Sequence, residues 1–260
     1  MTAREKYMFD EFVFEKYPGH IELAKKQGFE FVHFQEDYDW SKKLVIWRHD
    51  VEFNPWIALR MAKIEHELGV SATYFFQTHS EFYNLYDIEV TDIACEMRDL
   101  GHDVQLHFDP HFWKNLDTED SLPRLEKCIQ IDTDAFANIV GIRPTVFSFH
   151  LTNPFIRTLE GMRYGGLINA YAKMFKERFA YNGDSTGCWR FEKMDERLTD
   201  PNIRHVQILT HDGNWVDTPM APRRRIYQSI DQIAAMMKER YDNIFRRFGT
   251  ANIDEDGRVM

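Results

Sequence analysis

Residues 43–76 read KLVIWRHDVEFNPWIALRMAKIEHELGVSATYFF. The run Lys43–Asp50 (KLVIWRHD) is apolar until it ends in charged residues, as a buried strand does at its exit from a sheet. Asn54 then stands where a helix N-cap is needed, Pro55 at the first helical turn, and apolar residues recur at helical spacing to Leu68, with Gly69 as the stop. Val70–Gln77 (VSATYFFQ) is β-branched and aromatic, a second strand. Strand, helix and strand in immediate succession imply a parallel pair joined by a crossover helix.

The same alternation continues. The spacing predicts a helix over Ile88–Leu100 stopped by Gly101, a short strand over Asp103–His107, and a helix over Glu119–Val140 closed by Gly141. It also predicts a strand over Pro144–His150, a helix over Pro154–Met162, strands over Gly166–Ala170 and Arg204–Thr210, and a long helix over Pro222–Phe248 before a loose tail. An open doubly wound sheet and a (β/α) barrel both fit. Asp50 with Glu52, Gln77, His107, His150 and His211 fall at the C-terminal ends of several different strands, where a barrel gathers its active site, and this favours the barrel. With no repeat, low-complexity tract or linker, the 260 residues read as one α/β domain, its core over about 43–215.

Composition narrows the function. Hydrophobic residues at 43% and charged residues at 28% describe a globular chain, and the 15% aromatics suit both a dense core and a sugar-binding groove. Thirty-two basic against forty-two acidic residues give −10, which argues against nucleic acid or an anionic membrane surface as partner. Cys95, Cys128 and Cys188 are widely spaced and form no CxxC, the usage of a reducing compartment. The first twenty residues contain acids within their apolar stretch and no long apolar run, and no window approaches a membrane span, so a cytoplasmic location is expected.

Strand alternation puts Arg48, Asp50 and Glu52 on one face and His49 on the other. Two acids there read as a metal ligand plus a base, or as a solvated strand end braced by Arg48. His107-Phe-Asp-Pro-His111 has His-x3-His spacing; Pro110 opposes a regular helix, but a turn can aim both rings at one ion. Asp109 there either orients a ring or caps the turn. His211, at the end of a late strand, is a natural general acid or a hydrogen-bonded loop residue. His150, Arg143 and the Asp184–Arg190 stretch carry the same two readings.

Taken together, the acid pair, the His-x3-His and the late histidine resemble the polysaccharide deacetylase family, the NodB-homology carbohydrate esterases. The likeness extends over roughly 43–215 and is densest in RHDVEFNPWIALRMAKIEHELGVSATYFF, HSEFYN, GHDVQLHFD and FSFH, the pattern of a subgroup with an Arg-His-Asp-Val-acid first motif. That resemblance implies a distorted, often seven-stranded (β/α) barrel, a divalent metal, and removal of acetyl groups from amino sugars. It implies Asp50 as base, Asp50 or Glu52 as ligand beside His107 and His111, and His211 in a Leu-x-His motif as acid. Arg48, Arg143, His150, Asp184, Trp189 and Trp215 are the substrate-binding candidates, the two tryptophans for stacking on sugar faces. The departures are Val51 in place of a second adjacent Asp and Phe108 in place of a Ser or Thr. Two His and a carboxylate suit zinc, and also iron, cobalt or nickel. The expected substrate is a nucleotide-linked, lipid-linked or oligosaccharide acetamido sugar. Two alternatives stay open: a non-catalytic carbohydrate-binding scaffold, and a metal-dependent amidohydrolase of small cyclic amides.

Overall fold

The computed structural model describes residues 1–259. Nine strands form one sheet: β1 (Phe29–Val32), β2 (Lys43–Val51), β3 (Thr73–Phe76), β4 (Asp103–Phe108), β5 (Val146–Phe149), β6 (Arg163–Tyr164), β7 (Leu167–Asn169), β8 (Ala180–Gly183) and β9 (His205–His211). Eight of them run parallel, seven in the order β7-β5-β4-β3-β2-β9-β8. β6 adds an antiparallel edge on β7, and β1 pairs with the lower half of β2 below β3. The sheet curls into the expected distorted barrel, and among the described residues no strand pair closes it between the β8 edge and the β6–β7 edge.

Residue alternation separates two apolar layers. Val45, Trp47 and Val51 of β2 share the outer layer with Tyr74, Phe76, Val104, Leu106 and Phe108. The helices Pro55–Glu67, Ile88–Asp99 and Leu122–Val140 cover that layer through Ala58, Met61, Ala62, Ile93, Met97, Ile129 and Phe136. Leu44 and Ile46, one residue out of phase, join Phe75, Val146 and Ile168 in an inner layer plugged by Phe34, Tyr38, Phe175 and Phe179. The inner face of β2 therefore reads Leu44, Ile46, Arg48, Asp50: apolar at the closed end and charged at the C-terminal mouth.

Local chemistry sets the element ends. Asn54 Oδ1 accepts the amides of Trp56 and Ile57 at 3.2 and 3.3 Å, the N-cap expected for the helix that follows β2. Pro154–Met162 departs from expectation. It holds only a short 3₁₀ turn, Ile156–Thr158, because Asn153 Oδ1 caps the Ile156 amide at 2.8 Å and the chain soon turns into β6. The helix Tyr17–Lys26 and strands β1 and β8 also lie outside the elements expected from sequence.

Candidate active site

β2, β4, β5 and β9 each send a polar side chain to the same mouth. Glu52 follows directly on β2, and the buried Asp212 carboxylate fixes its loop by accepting the Glu52 amide at 2.9 Å, the Phe53 amide at 3.2 Å and the Asn54 amide. His107 ends the inner face of β4, and its register partner on β5 is Ser148. Ser148 Oγ lies 2.6 Å from His107 Nδ1, so Nε2 faces inward. His150, two residues past Ser148, stays on the same face, and its amide extends the ladder to the Phe108 carbonyl at 2.8 Å.

Glu52 Oε1 consequently lies 3.1 Å from His107 Nε2 and 2.8 Å from His150 Nδ1, and the two ring nitrogens are 3.3 Å apart. Ligands bound to one tetrahedral ion at 2.0–2.1 Å stand about 3.3 Å from one another. The three atoms already sit close to that spacing, and the Ser148 contact supplies the outer partner that a ligating imidazole usually has. Charge fits as well. Burial opposes ionisation of Glu52, yet His211, His107 and His150 hold its carboxyl well below the usual range. Burial would lower His150, but Glu52 raises it. A negative centre that draws a proton onto His150 is one from which a divalent ion displaces it.

Asp50 sits beside this group, with Oδ2 3.8 Å from His107 Nε2. Arg48 holds it through Nη2 at 3.0 and 2.7 Å and Nε at 3.2 Å, and both side chains are buried. Despite burial, Arg48 keeps the Asp50 carboxyl below its ordinary range. The Arg48 guanidinium in turn rests over the Phe75 and Tyr171 rings at 5.2 and 5.5 Å. On the opposite wall, His211 Nδ1 meets Asp184 Oδ1 at 2.5 Å, and its Nε2 points to Glu52 Oε1 at 3.8 Å. Burial alone would lower His211; the charges of Asp184 and Glu52 overrule it and push the pKa up to about 10. Asp184 itself is held by Thr210 Oγ1 at 2.6 Å and Asn214 Nδ2 at 2.9 Å.

Four sequence candidates stand outside this group of contacts. His111 is exposed, with Nε2 on the Leu151 carbonyl at 2.5 Å. Asp109 caps that turn by accepting the His111 amide at 2.8 Å, and His111 lines the cavity in front of the site without joining the Glu52–His107–His150 group. Arg143 precedes β5, at the closed end of the sheet, and pairs in solvent with Asp134 at 2.7 Å. Trp215 is fully buried, its indole donating to Thr210 Oγ1 at 2.8 Å, and Trp189 stacks on Phe12 at 4.9 Å; both are core, not sugar platforms. Asp184 belongs to the site through His211 rather than on the substrate wall. His150 moves from the substrate-binding candidates into the Glu52–His107 group. The strand phase of FSFH carried that signal, since it places Ser148 and His150 together beside His107.

A cavity of about 750 Å³ opens in front of these groups, lined by Asp50, Glu52 and His211 at its inner end and by Tyr171, Tyr181 and Leu209 along its walls. Among the described residues no helix is long and apolar enough to cross a membrane.

No protein family profile matches the chain, and no curated protein matches it. Solved structures do align. The peptidoglycan deacetylase PdaC from Bacillus subtilis aligns at 19% identity over 81% of this chain and 98% of its own, with a TM-score of 0.44. A family 4 carbohydrate esterase from Bacillus anthracis aligns at 16% identity over 84% of this chain and 86% of its own, TM-score 0.45. A family 4 acetyl xylan esterase from Clostridium thermocellum, in complex with a cobalt ion, aligns at 16% over 80% of this chain and 93% of its own, TM-score 0.42. At that distance the activity has to be argued from the side chains themselves.

Proposed function

We propose that this chain is a metal-dependent deacetylase that hydrolyses the N-acetyl or a related acyl group of an amino sugar during surface polysaccharide synthesis in the cytoplasm. The observation that carries the reading is the convergence of Glu52 Oε1, His107 Nε2 and His150 Nδ1 within 3.3 Å of one another, with a buried acid on one side and a carboxylate-backed imidazole on the other. The sequence resemblance to polysaccharide deacetylases supports the same chemistry, and the three unpaired cysteines support the compartment. A cavity of about 750 Å³ suits a sugar better than a small cyclic amide.

Glu52, His107 and His150 would hold the ion, zinc by donor chemistry, with iron, cobalt or nickel compatible. A divalent ion held there would supply Lewis acidity toward the acyl carbonyl and water. Asp50, kept ionised and oriented by Arg48, accepts the proton of the attacking water. His211 Nε2 delivers a proton to the departing nitrogen, and Asp184 holds the ring in the tautomer and orientation for that transfer. Acetate and an amine leave.

Elemental analysis and acetate release from acetamido sugars test the assignment together. His107→Ala and His150→Ala are expected to lose both bound metal and turnover, while His111→Ala keeps its metal. A His111→Ala protein that loses metal while His150→Ala retains it would sink the assignment.

A further inference from the structure

The outer part of the active-site cavity is cationic in a chain whose net charge is −10. Arg157, on the turn after β5, Lys176, on the short helix after β7, and Arg190, after β8, all line it. Lys176 is matched by Glu160 at 3.0 Å. Arg157 has only the Thr152 carbonyl at 3.2 Å, Arg190 lies beside the Phe191 ring at 5.7 Å, and neither has a carboxylate partner among the described residues. The carboxylates of this cavity, Asp50 and Glu52, are at the inner end, and Arg48 already matches Asp50. All three cations are exposed and lie on segments beyond the strand ends, whereas the metal-binding candidates and His211 stand at the ends of β2, β4, β5 and β9. A ligand that spans the cavity therefore meets hydrolytic chemistry at one end and unmatched positive charge at the other.

We propose that the outer cavity binds a phosphate or diphosphate group carried by the amino sugar, gripped by Arg157 and Arg190, so that the substrate is a sugar phosphate ester and not a neutral glycan. Guanidinium groups pair with phosphate oxygens in bidentate, charge-assisted hydrogen bonds. The proposal rests on the deacetylase reading for the inner end only.

The test uses metal-loaded wild type and the double variant Arg157→Gln/Arg190→Gln. Inorganic pyrophosphate is titrated calorimetrically, and acetate release is followed from N-acetylglucosamine 1-phosphate, a nucleotide-diphosphate N-acetylglucosamine, a polyprenyl-diphosphate N-acetylglucosamine and a neutral N-acetylglucosamine oligomer. The double variant is expected to bind pyrophosphate at least about tenfold more weakly and to lose a similar factor in kcat/KM on phosphorylated substrates alone, since each charged contact is worth roughly that much. Which phosphorylated arm is fastest tells nucleotide from lipid carrier. Equal pyrophosphate binding by both proteins, or a neutral oligomer hydrolysed as fast as the phosphorylated sugars, overturns the proposal. Pyrophosphate binding that depends on the two arginines with no acetate from any sugar leaves the anion site standing and removes the deacetylase reading instead.

A different observation concerns the helix Pro222–Phe248. Its inward stripe, through Arg225, Ile226, Ser229, Ile233 and Met236, is buried or half-buried. A second stripe runs through Tyr227, Ile230, Ala234, Met237, Tyr241, Ile244 and Phe248, spaced alternately three and four residues apart. Its six large members are 38–70% exposed. Alternating spacing of three and four is the seam of a two-helix coiled coil. Set antiparallel to itself about the Ala234–Met237 midpoint, the seam places Tyr227 against Ile244, Ile230 against Tyr241 and Ala234 against Met237, and brings Asp231 to Lys238 of the second copy. Lys238 has no partner among the described residues, and Asp231 has a loose one, Arg224 at 3.6 Å.

We infer that this seam pairs with the same seam of a second chain, giving an antiparallel helix dimer. Sedimentation across a wide concentration range checks it. The wild type is expected to dimerise, Met237→Glu/Ile244→Glu to be monomeric with unchanged circular dichroism, Asp231→Lys to weaken the dimer, and Asp231→Lys/Lys238→Asp to restore it. A monomeric wild type, a dimer indifferent to Met237→Glu/Ile244→Glu, or a monomer that binds anionic vesicles through this stripe overturns the inference.

Discussion

At the scale of single residues, the site is a set of side chains whose free ends are decided by what holds their other ends. Ser148 fixes which nitrogen of His107 faces Glu52, at 2.6 Å. Ser148→Ala should therefore weaken metal affinity by about 10–100-fold, as loss of an outer-shell partner does, without exposing the core, as measured by competition with a chelating dye. His211 depends in the same way on Asp184. His211→Ala should cut acetate release by roughly 10²–10⁴-fold with metal content retained, and Asp184→Asn should fall between it and the wild type. Rates untouched by either change would remove the general-acid role. Sequence made most of these residues visible, because strand-end acids and histidines stand out against apolar runs. What it hid was direction. The Asx turn at Asp109 leaves the His111 ring on the Leu151 carbonyl, and the β4–β5 register brings His150 beside Glu52 and His107 in its place. Neither is encoded in His-x3-His spacing.

At the scale of elements, alternation reaches behind the site as well. His49, one residue out of phase with Arg48 and Asp50, points to the outer layer, where Glu65 of the Pro55–Glu67 helix lies 2.7 Å from its Nε2. Glu65 is also bonded by Tyr17 and, at 2.6 Å, by Tyr74, all fully buried. This knot clamps the helix to β2 and so fixes the strand whose other face carries the acids. His102 sits at its edge. Its Nδ1 accepts the Ala72 amide at 3.1 Å and its Nε2 donates to the Ala62 carbonyl at 2.9 Å, an arrangement satisfied only by the neutral ring. Burial accordingly lowers its pKa. A group depressed in the folded state contributes stability that is complete above its unfolded value, about 6.5, and is lost as pH falls through the folded value. Urea unfolding should show the wild type losing more stability between pH 7.5 and 5.5 than His102→Gln does; parallel losses would show that His102 is not responsible. Long periodic elements were legible, and Pro222–Phe248 has the bounds its spacing predicts. The short ones were not. β1 has four residues and its exposure does not alternate cleanly, β8 ends in Asn-Gly, and the helix Tyr17–Lys26 opens on Pro-Gly, a turn signal that the packing of Tyr17 and Ile21 overrides.

At the scale of the whole molecule, the curled sheet leaves its chain ends outside the main strand order, and Arg225 fastens them beside the single Val13–Val216 backbone bridge. It lies at the start of the Pro222–Phe248 helix with its side chain buried and without a carboxylate partner among the described residues. Nη1 donates to the Gly187 carbonyl at 2.7 Å, Nη2 to the Met8 carbonyl at 2.9 Å, and the guanidinium covers Phe12 at 4.5 Å. Three separated segments thus meet on one cation: the N-terminal stretch, the loop that follows β8, and the last helix. That loop begins at Asp184, which orients His211, so the fastening and the proposed chemistry share a backbone. Arg225→Met keeps much of the apolar stem and removes every donor, leaving buried carbonyls unpaired at about 1–3 kcal/mol each. The variant should unfold at lower urea by at least the smaller of those amounts. It should also lose acetate release with its metal content intact, because Asp184 at the start of the loop bonds Thr210, His211 and Asn214, and not Glu52, His107 or His150. Urea unfolding, acetate release and elemental analysis on the same preparation check both halves. Undiminished stability would show that the carbonyls find other partners, and metal lost along with activity would show that the loop supports the whole mouth and not His211 alone.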